Sequence, residues 1–182
     1  MKYFLPCFFT VLLCVFLSSA AQAELKEHHF YRVSRVVDGD TIKLNTGETV
    51  RLIGIDTPEI RNDAKFQRDL KERHLSKAAE LAMGKRACKF TKKLIEGKQV
   101  HLKFDKSKYD DYHRALAYVF LSSGTFVNAE IIKDGYAYPY PVKPDLQYAP
   151  LFRHLYQEAQ NHHRGLWKEE KYSQKRIKWV KN

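Results

Sequence analysis

Apolar positions change their spacing several times along the chain, and each change predicts an element. From Phe30 to Val37 apolar and polar residues alternate in part, the period of a strand with one buried face. Thr41–Leu44 and Val50–Ile55 are rich in β-branched and aliphatic residues, and the turn Asn45-Thr46-Gly47 between them makes a hairpin. Leu75 to Ile95 switches to helical spacing at Ala78, Leu81, Ala82, Ala87, Phe90 and Leu94, with Gly97 just past the end. Val100–Phe104 and Ala115–Leu121 return to strand. Asn128 is placed to cap a short helix from Ala129 to Lys133, which Gly135 stops. Leu151 to His162 carries the last helix, before Gly165. Arg61 to Leu70 is polar and charged and predicts a mobile loop.

Three strands, a helix, then two strands is the element order of an OB-fold. The expected class is α+β: a five-stranded OB-fold β-barrel with about three packed α-helices, a scaffold that commonly binds oligonucleotides. Tyr118 and Phe120 alternate with Val119 and Leu121, so one set should face the core. No repeat or linker divides the chain.

The ends read differently from the middle. Lys2, the apolar run Tyr3–Leu17 and the small-x-small site Ala21-Gln22-Ala23 predict a cleaved signal peptide over residues 1–23. The run is short for a bilayer span of about 20 residues. The expected domain is 24–168, followed by a basic tail at 169–182, and the product is secreted or periplasmic, without stable membrane association. Cleavage removes Cys7 and Cys14 and leaves Cys88, so no intramolecular disulfide can form in the remaining 159 residues. Cys88 is expected to be a small buried apolar residue.

Removing that segment, which holds one lysine and no acid, lowers the net charge from +11 to +10. So basic a chain suits a polyanion such as DNA, RNA or anionic lipid. Against this background Asp38, Asp40, Asp56 and Glu59 gather between Val36 and Glu59, with Arg51 among them. Asp40 starts one strand of the hairpin and Asp56 ends the other, so pairing brings the two together. Clustered carboxylates beside an arginine suit a hard metal ion and a phosphate. Asp40 and Asp56 offer no soft sulfur or imidazole, which favours calcium or magnesium over zinc. Taken alone, Asp38-Gly39-Asp40 also reads as an ordinary turn.

The segment resembles the signature of the thermonuclease (staphylococcal nuclease-like) family: Asp38-Gly39-Asp40-Thr41, Arg51 on the next strand, then Asp56-Thr57-Pro58-Glu59. Further elements are Tyr112-His113-Arg114 before an apolar strand, Phe126-Val127-Asn128 before an amphipathic stretch, and Gly165-Leu166-Trp167. Together they cover roughly residues 30–168. Two positions depart from the best-known members: Asp111 stands where they have lysine, and His113 where they have glycine.

The resemblance implies a calcium-dependent hydrolase of DNA and RNA, leaving 3′-phosphate ends. It implies calcium held by Asp40, Asp56 and the Thr57 backbone carbonyl, with Asp38 acting through water or orienting the site. Glu59 becomes the general base, or a positioner of water. Arg51 and Arg114 become cations on the phosphate, and Tyr112, Tyr138 and Tyr140 flank the nucleotide. Stacking tyrosines imply a single-stranded preference. A monomer is expected. The alternative is a secreted OB-fold nucleic-acid-binding module without catalysis.

Overall fold

The structure, a computed structural model, describes residues 24–27, 29–73, 75–140 and 146–168. The expected signal peptide at 1–23, the tail at 169–182 and Pro141 of the tyrosine-proline run lie outside them. Strand β1 (Phe30–Val36) pairs antiparallel with β2 (Thr41–Leu44), and β2 with β3 (Thr49–Leu52), placing Thr41 opposite Arg51. Strands β5 (Gln99–Tyr109) and β6 (Ala115–Leu121) form a second antiparallel pair. A parallel β3–β6 contact and an antiparallel β1–β5 contact close the barrel. The expected α+β class and five-stranded OB-like barrel are what the chain forms.

Alternation fills the interior. Val33, Ile42, Leu44, Val50, Leu52, Val100, Leu102, Ala117 and Val119 are each 1% exposed or less. Both faces of β6 are covered: Val119 points into the barrel, while the Tyr118 ring meets Tyr148, Phe126 and Phe152 outside it. Strand β5 runs past the apolar stretch Val100–Phe104 because its polar continuation still pairs, Tyr109 lying opposite Ala115 across an irregular register.

The third strand is shorter than its apolar run. Gly54 takes φ +76°, and a Cβ there would press into the Phe152 ring. The chain turns at Ile53-Gly54, leaves the barrel, and resumes as β4 (Ile55–Asp56), paired with β7 (Tyr138–Pro139). That turn aims Asp56 and the segment after it back toward Asp40.

The stretch expected to be a mobile loop, Arg61 to Leu70, is largely helix α1 (Ala64–Arg73). Asp63 caps it, its Oδ1 accepting from the Phe66 amide at 2.9 Å, and the Phe66 side chain is fully buried. Lys65, Asp69 and Arg73 look toward the acidic cluster rather than to water, which is why polarity misled the reading. Helix α2 (Lys77–Ile95) starts at Ser76, whose Oγ accepts from the Ala79 amide at 3.2 Å. Gly84 of α2 lies so close to the backbone of Pro58 and Glu59 that a side chain would collide with their carbonyls. Cys88, expected to be buried, is half-buried.

Helix α3 (Val127–Lys133) begins before Asn128, which is therefore not its cap. The buried Asn128 amide instead ties β6 to the turn after β3, accepting from the Val119 amide at 2.9 Å and donating to the Ile53 carbonyl at 2.9 Å. Helix α4 (Ala149–Asn161) and a 3₁₀ turn (Gly165–Lys168) cover the outer barrel. With α1 the described residues hold four α-helices, one more than expected. None is long and apolar enough to cross a membrane.

Candidate active site

Asp40 and Asp56 meet at one guanidinium. Arg51 Nη1 lies 3.0 Å from Asp40 Oδ1, and Arg51 Nη2 lies 3.2 Å from Asp56 Oδ1. Nη1 also donates to the Leu52 carbonyl at 2.9 Å, which fixes the side chain against its own strand. The other Asp40 oxygen accepts from the Thr57 amide at 2.7 Å and the Thr57 hydroxyl at 2.9 Å. Asp38 Oδ1 accepts from the Asp40 amide at 3.1 Å and shapes the turn that delivers Asp40. Asp40, Asp56 and Thr57 are all 5% exposed or less.

Helix α1 adds two cations that sequence reasoning missed. Lys65 Nζ lies 3.0 Å from Asp56 Oδ1, 2.5 Å from Glu59 Oε1 and 3.3 Å from the Thr57 carbonyl. Arg73 donates to Asp56 Oδ2 at 3.0 Å and to the fully buried Glu80 at 2.6 Å. Asp69 sits between them, 3.5 Å from Lys65 and 3.4 Å from Arg73. A signal for this helix was present: Asp63 as cap, and opposite charges at Lys65/Asp69 and Asp69/Arg73, each four residues apart.

These neighbours set the charge states. Burial works against the charge on Asp56, but Lys65, Arg51 and Arg73 outweigh it and hold the carboxyl below the usual range. Glu59 goes the other way: burial raises its pKa, and Lys65 offsets this only in part. Asp38 is pushed up to about 7, first by burial and then by the charge of Asp40. A buried carboxylate with a raised pKa is a better proton acceptor near neutral pH.

A cavity of about 730 Å³ brings these groups together, bordered among others by Asp38, Asp40, Arg51, Asp56, Glu59 and Arg114. Tyr112 and Tyr140 border it too, and with Arg51 and Arg114 they also border a second cavity of about 480 Å³. That second space is walled by Leu52, Ile53, Ile55 and Leu116. Arg114 Nε donates to Asp110 Oδ2 at 2.7 Å, and its guanidinium lies 5.5 Å from the centre of the Tyr112 ring. Asp110 Oδ1 also accepts from the amides of Tyr112 and Arg114, holding the turn in which His113 takes φ +58°. Tyr112 is 81% exposed and Tyr140 38%.

Tyr138 does not join them. At 3% exposure its ring packs against Tyr156 and Trp167, with Arg73 over one face, so no face remains for a base. The β4–β7 pairing turns Tyr138 inward, and the expectation of substrate contact there is corrected.

Among the described residues no group of three or more His, Cys, Asp and Glu side chains forms a ready metal cage. The donor chemistry nevertheless suits a hard cation. Asp56, Glu59 and the Thr57 carbonyl present only oxygens, and a cation, the Lys65 ammonium, is already held among them.

The carboxylate pair and the two arginines border one cavity on an OB-like scaffold. The model of the staphylococcal nuclease homologue family matches residues 49–169. The thermonuclease of Staphylococcus intermedius is 36% identical over 141 residues, covering 75% of each chain. The thermonuclease of Staphylococcus hyicus is 33% identical over 141 residues, with the same 75% coverage of both. Endonuclease YhcR of Bacillus subtilis is 33% identical over 145 residues, 75% of this chain but 11% of that protein. The chain belongs to the staphylococcal nuclease family.

Proposed function

We propose that this chain is a secreted, calcium-dependent phosphodiesterase that hydrolyses DNA and RNA and leaves 3′-phosphate ends. The observation that carries the reading is the joint hold of Arg51 on Asp40 and Asp56, at the wall of a cavity shared with Glu59 and Arg114. Calcium held by Asp40, Asp56 and the Thr57 carbonyl would supply fixed positive charge beside the phosphate.

The chain's own residues supply the rest. Glu59 accepts a proton from the attacking water as its oxygen bonds to phosphorus, and the bond to the 5′ oxygen breaks. Arg114, oriented by Asp110, presents a permanent charge to the phosphoryl oxygens, and Arg51 adds a second from the opposite strand. The extra negative charge of a five-coordinate phosphorus strengthens both contacts in the transition state. Tyr112 and Tyr140 offer faces that stack on any base, which favours single strands over closed duplex. Asp38 orients the Asp40 turn. The signal-like segment at 1–23 supports export, and the basic charge supports capture of a polyanion.

The purified protein is incubated with single-stranded DNA and RNA in calcium or chelator, beside Glu59→Gln and Arg51→Ala, and product ends are analysed. Calcium-dependent 3′-phosphate products, lost in both variants, are expected. Retarded bands on a gel without cleavage would replace this reading with a non-catalytic OB-fold nucleic-acid-binding module.

A further inference from the structure

Lys65 holds a position that a bound divalent cation would need. Its ammonium has three N–H donors and three close oxygens: Glu59 Oε1 at 2.5 Å, Asp56 Oδ1 at 3.0 Å and the Thr57 carbonyl at 3.3 Å. Two of these, Asp56 and the Thr57 carbonyl, belong to the set assigned above to calcium. We propose that Lys65 is an intramolecular competitor for the cation site, and that its side chain must withdraw before calcium binds. The inference rests on the proposed calcium reading and adds to it a residue that sets the affinity.

Physical grounds favour withdrawal of the side chain rather than of the whole helix. Phe66, the next residue, is fully buried and anchors α1. Arg73 pins the far end through Glu80 and through the other Asp56 oxygen, which Lys65 does not touch. Lys65 itself borders the large cavity, as do Asp63 and Glu59, so the flexible stem has open space to swing into. An ammonium and a divalent ion sharing the same carboxylate oxygen repel strongly in so buried a place. The internal cation therefore keeps the acids neutralised in the calcium-free protein, and calcium binds against the free energy of that contact.

The test is calorimetric titration of calcium into the purified protein and into Lys65→Met, which keeps the stem length without the charge. If the Lys65-inserted state outnumbers the open state by about ten to one, the apparent affinity rises about tenfold when the ammonium is removed. Equal or weaker calcium binding by a folded Lys65→Met protein would overturn the proposal. A second measurement needs no variant. The rate of reductive methylation of Lys65, read by mass spectrometry, is expected to rise at saturating calcium. A rate that stays constant or falls would also overturn it. Asp40→Asn separates the two levels of inference. If neither the natural protein nor Lys65→Met binds calcium in a way that depends on Asp40, the cation site itself is wrong and Lys65 has nothing to compete for. If both bind through Asp40 with equal affinity, only the role of Lys65 falls.

Discussion

The Arg73 guanidinium lies 4.3 Å from the centre of the Tyr138 ring, a side chain that the β4–β7 pairing has turned inward. The same guanidinium bonds Asp56 and Glu80, so the ring is one wall of a buried ionic junction beneath the site. Removing one partner of such a junction strands the others. Arg73→Met is expected to destabilise the protein by about 3–5 kcal/mol in urea denaturation. Adding Glu80→Gln should recover a large part of that loss, because the stranded carboxylate is then gone. Additive losses in the double variant would contradict the junction.

Tyr112 and Tyr138 should behave oppositely. Tyr112→Ala is expected to weaken binding of single-stranded oligonucleotide by about 1–3 kcal/mol, the range for one stacked base. Tyr138→Phe should leave that affinity unchanged, since its ring faces Arg73, Tyr156 and Trp167. Fluorescence anisotropy in chelator, where no cleavage interferes, measures both.

Arg114 is held by Asp110 at the cavity wall yet is partly exposed, so it can be cut back without opening the core. Arg114→Ala is expected to lower kcat by about 10²–10³-fold with an unchanged unfolding midpoint. Arg114→Lys should restore only a minor share, because a point charge does not reproduce a planar fork. Full activity in Arg114→Lys would argue against bidentate phosphate contact.

His113 occupies the left-handed region at φ +58°, where a β-carbon is strained. His113→Gly is expected to raise stability by about 1 kcal/mol, provided the turn is otherwise unchanged. Thermal unfolding at fixed pH reads this directly, and a loss of stability would mean that the imidazole makes a compensating contact.

Asp110 gives a pH signature. Burial works against its charge, but the Arg114 amide and side chain outweigh that and hold the carboxyl below its ordinary 3.8. A depressed carboxyl pKa means the unfolded chain binds the proton more readily. Its stabilising share is therefore complete above the ordinary value and is lost as pH falls through the lower, folded value. The stability difference between the natural protein and Asp110→Asn should be constant from pH 5 upward, about one unit above the ordinary aspartate value, and shrink below it. A difference that grows on acidification would reverse the assignment.

Much of the barrel was legible because its signals are local. The alternation in β1, the hairpin around Asn45-Thr46-Gly47 and the apolar run of β6 each follow from a few adjacent side chains. The meeting of Asp40 with Asp56 was expected from a hairpin running to Ile55, but β3 ends at Leu52 and the turn at Ile53-Gly54 is what returns Asp56 to Asp40. Helix α1 was missed although its Asp63 cap and i,i+4 charge pairs were present, because Lys65 and Arg73 also draw on Asp56, Glu59 and Glu80 outside the helix, and a polar segment looks like loop until those partners are known. Asn128 was read as a cap for want of the knowledge that Val119 and Ile53 would converge on its amide.

By itself the sequence determined the strands, with the acids and arginines only as positions on or beside them; short-range sterics and hydrophobic period suffice for that. The tertiary structure alone decided which way each side chain turns and which charges neutralise one another. It buried Tyr138, left Tyr112 outside and set Lys65 among the oxygens of Asp56, Thr57 and Glu59. Those outcomes depend on long-range packing and on electrostatics in a low-dielectric interior, where a charge is stable only beside a partner supplied from elsewhere in the chain.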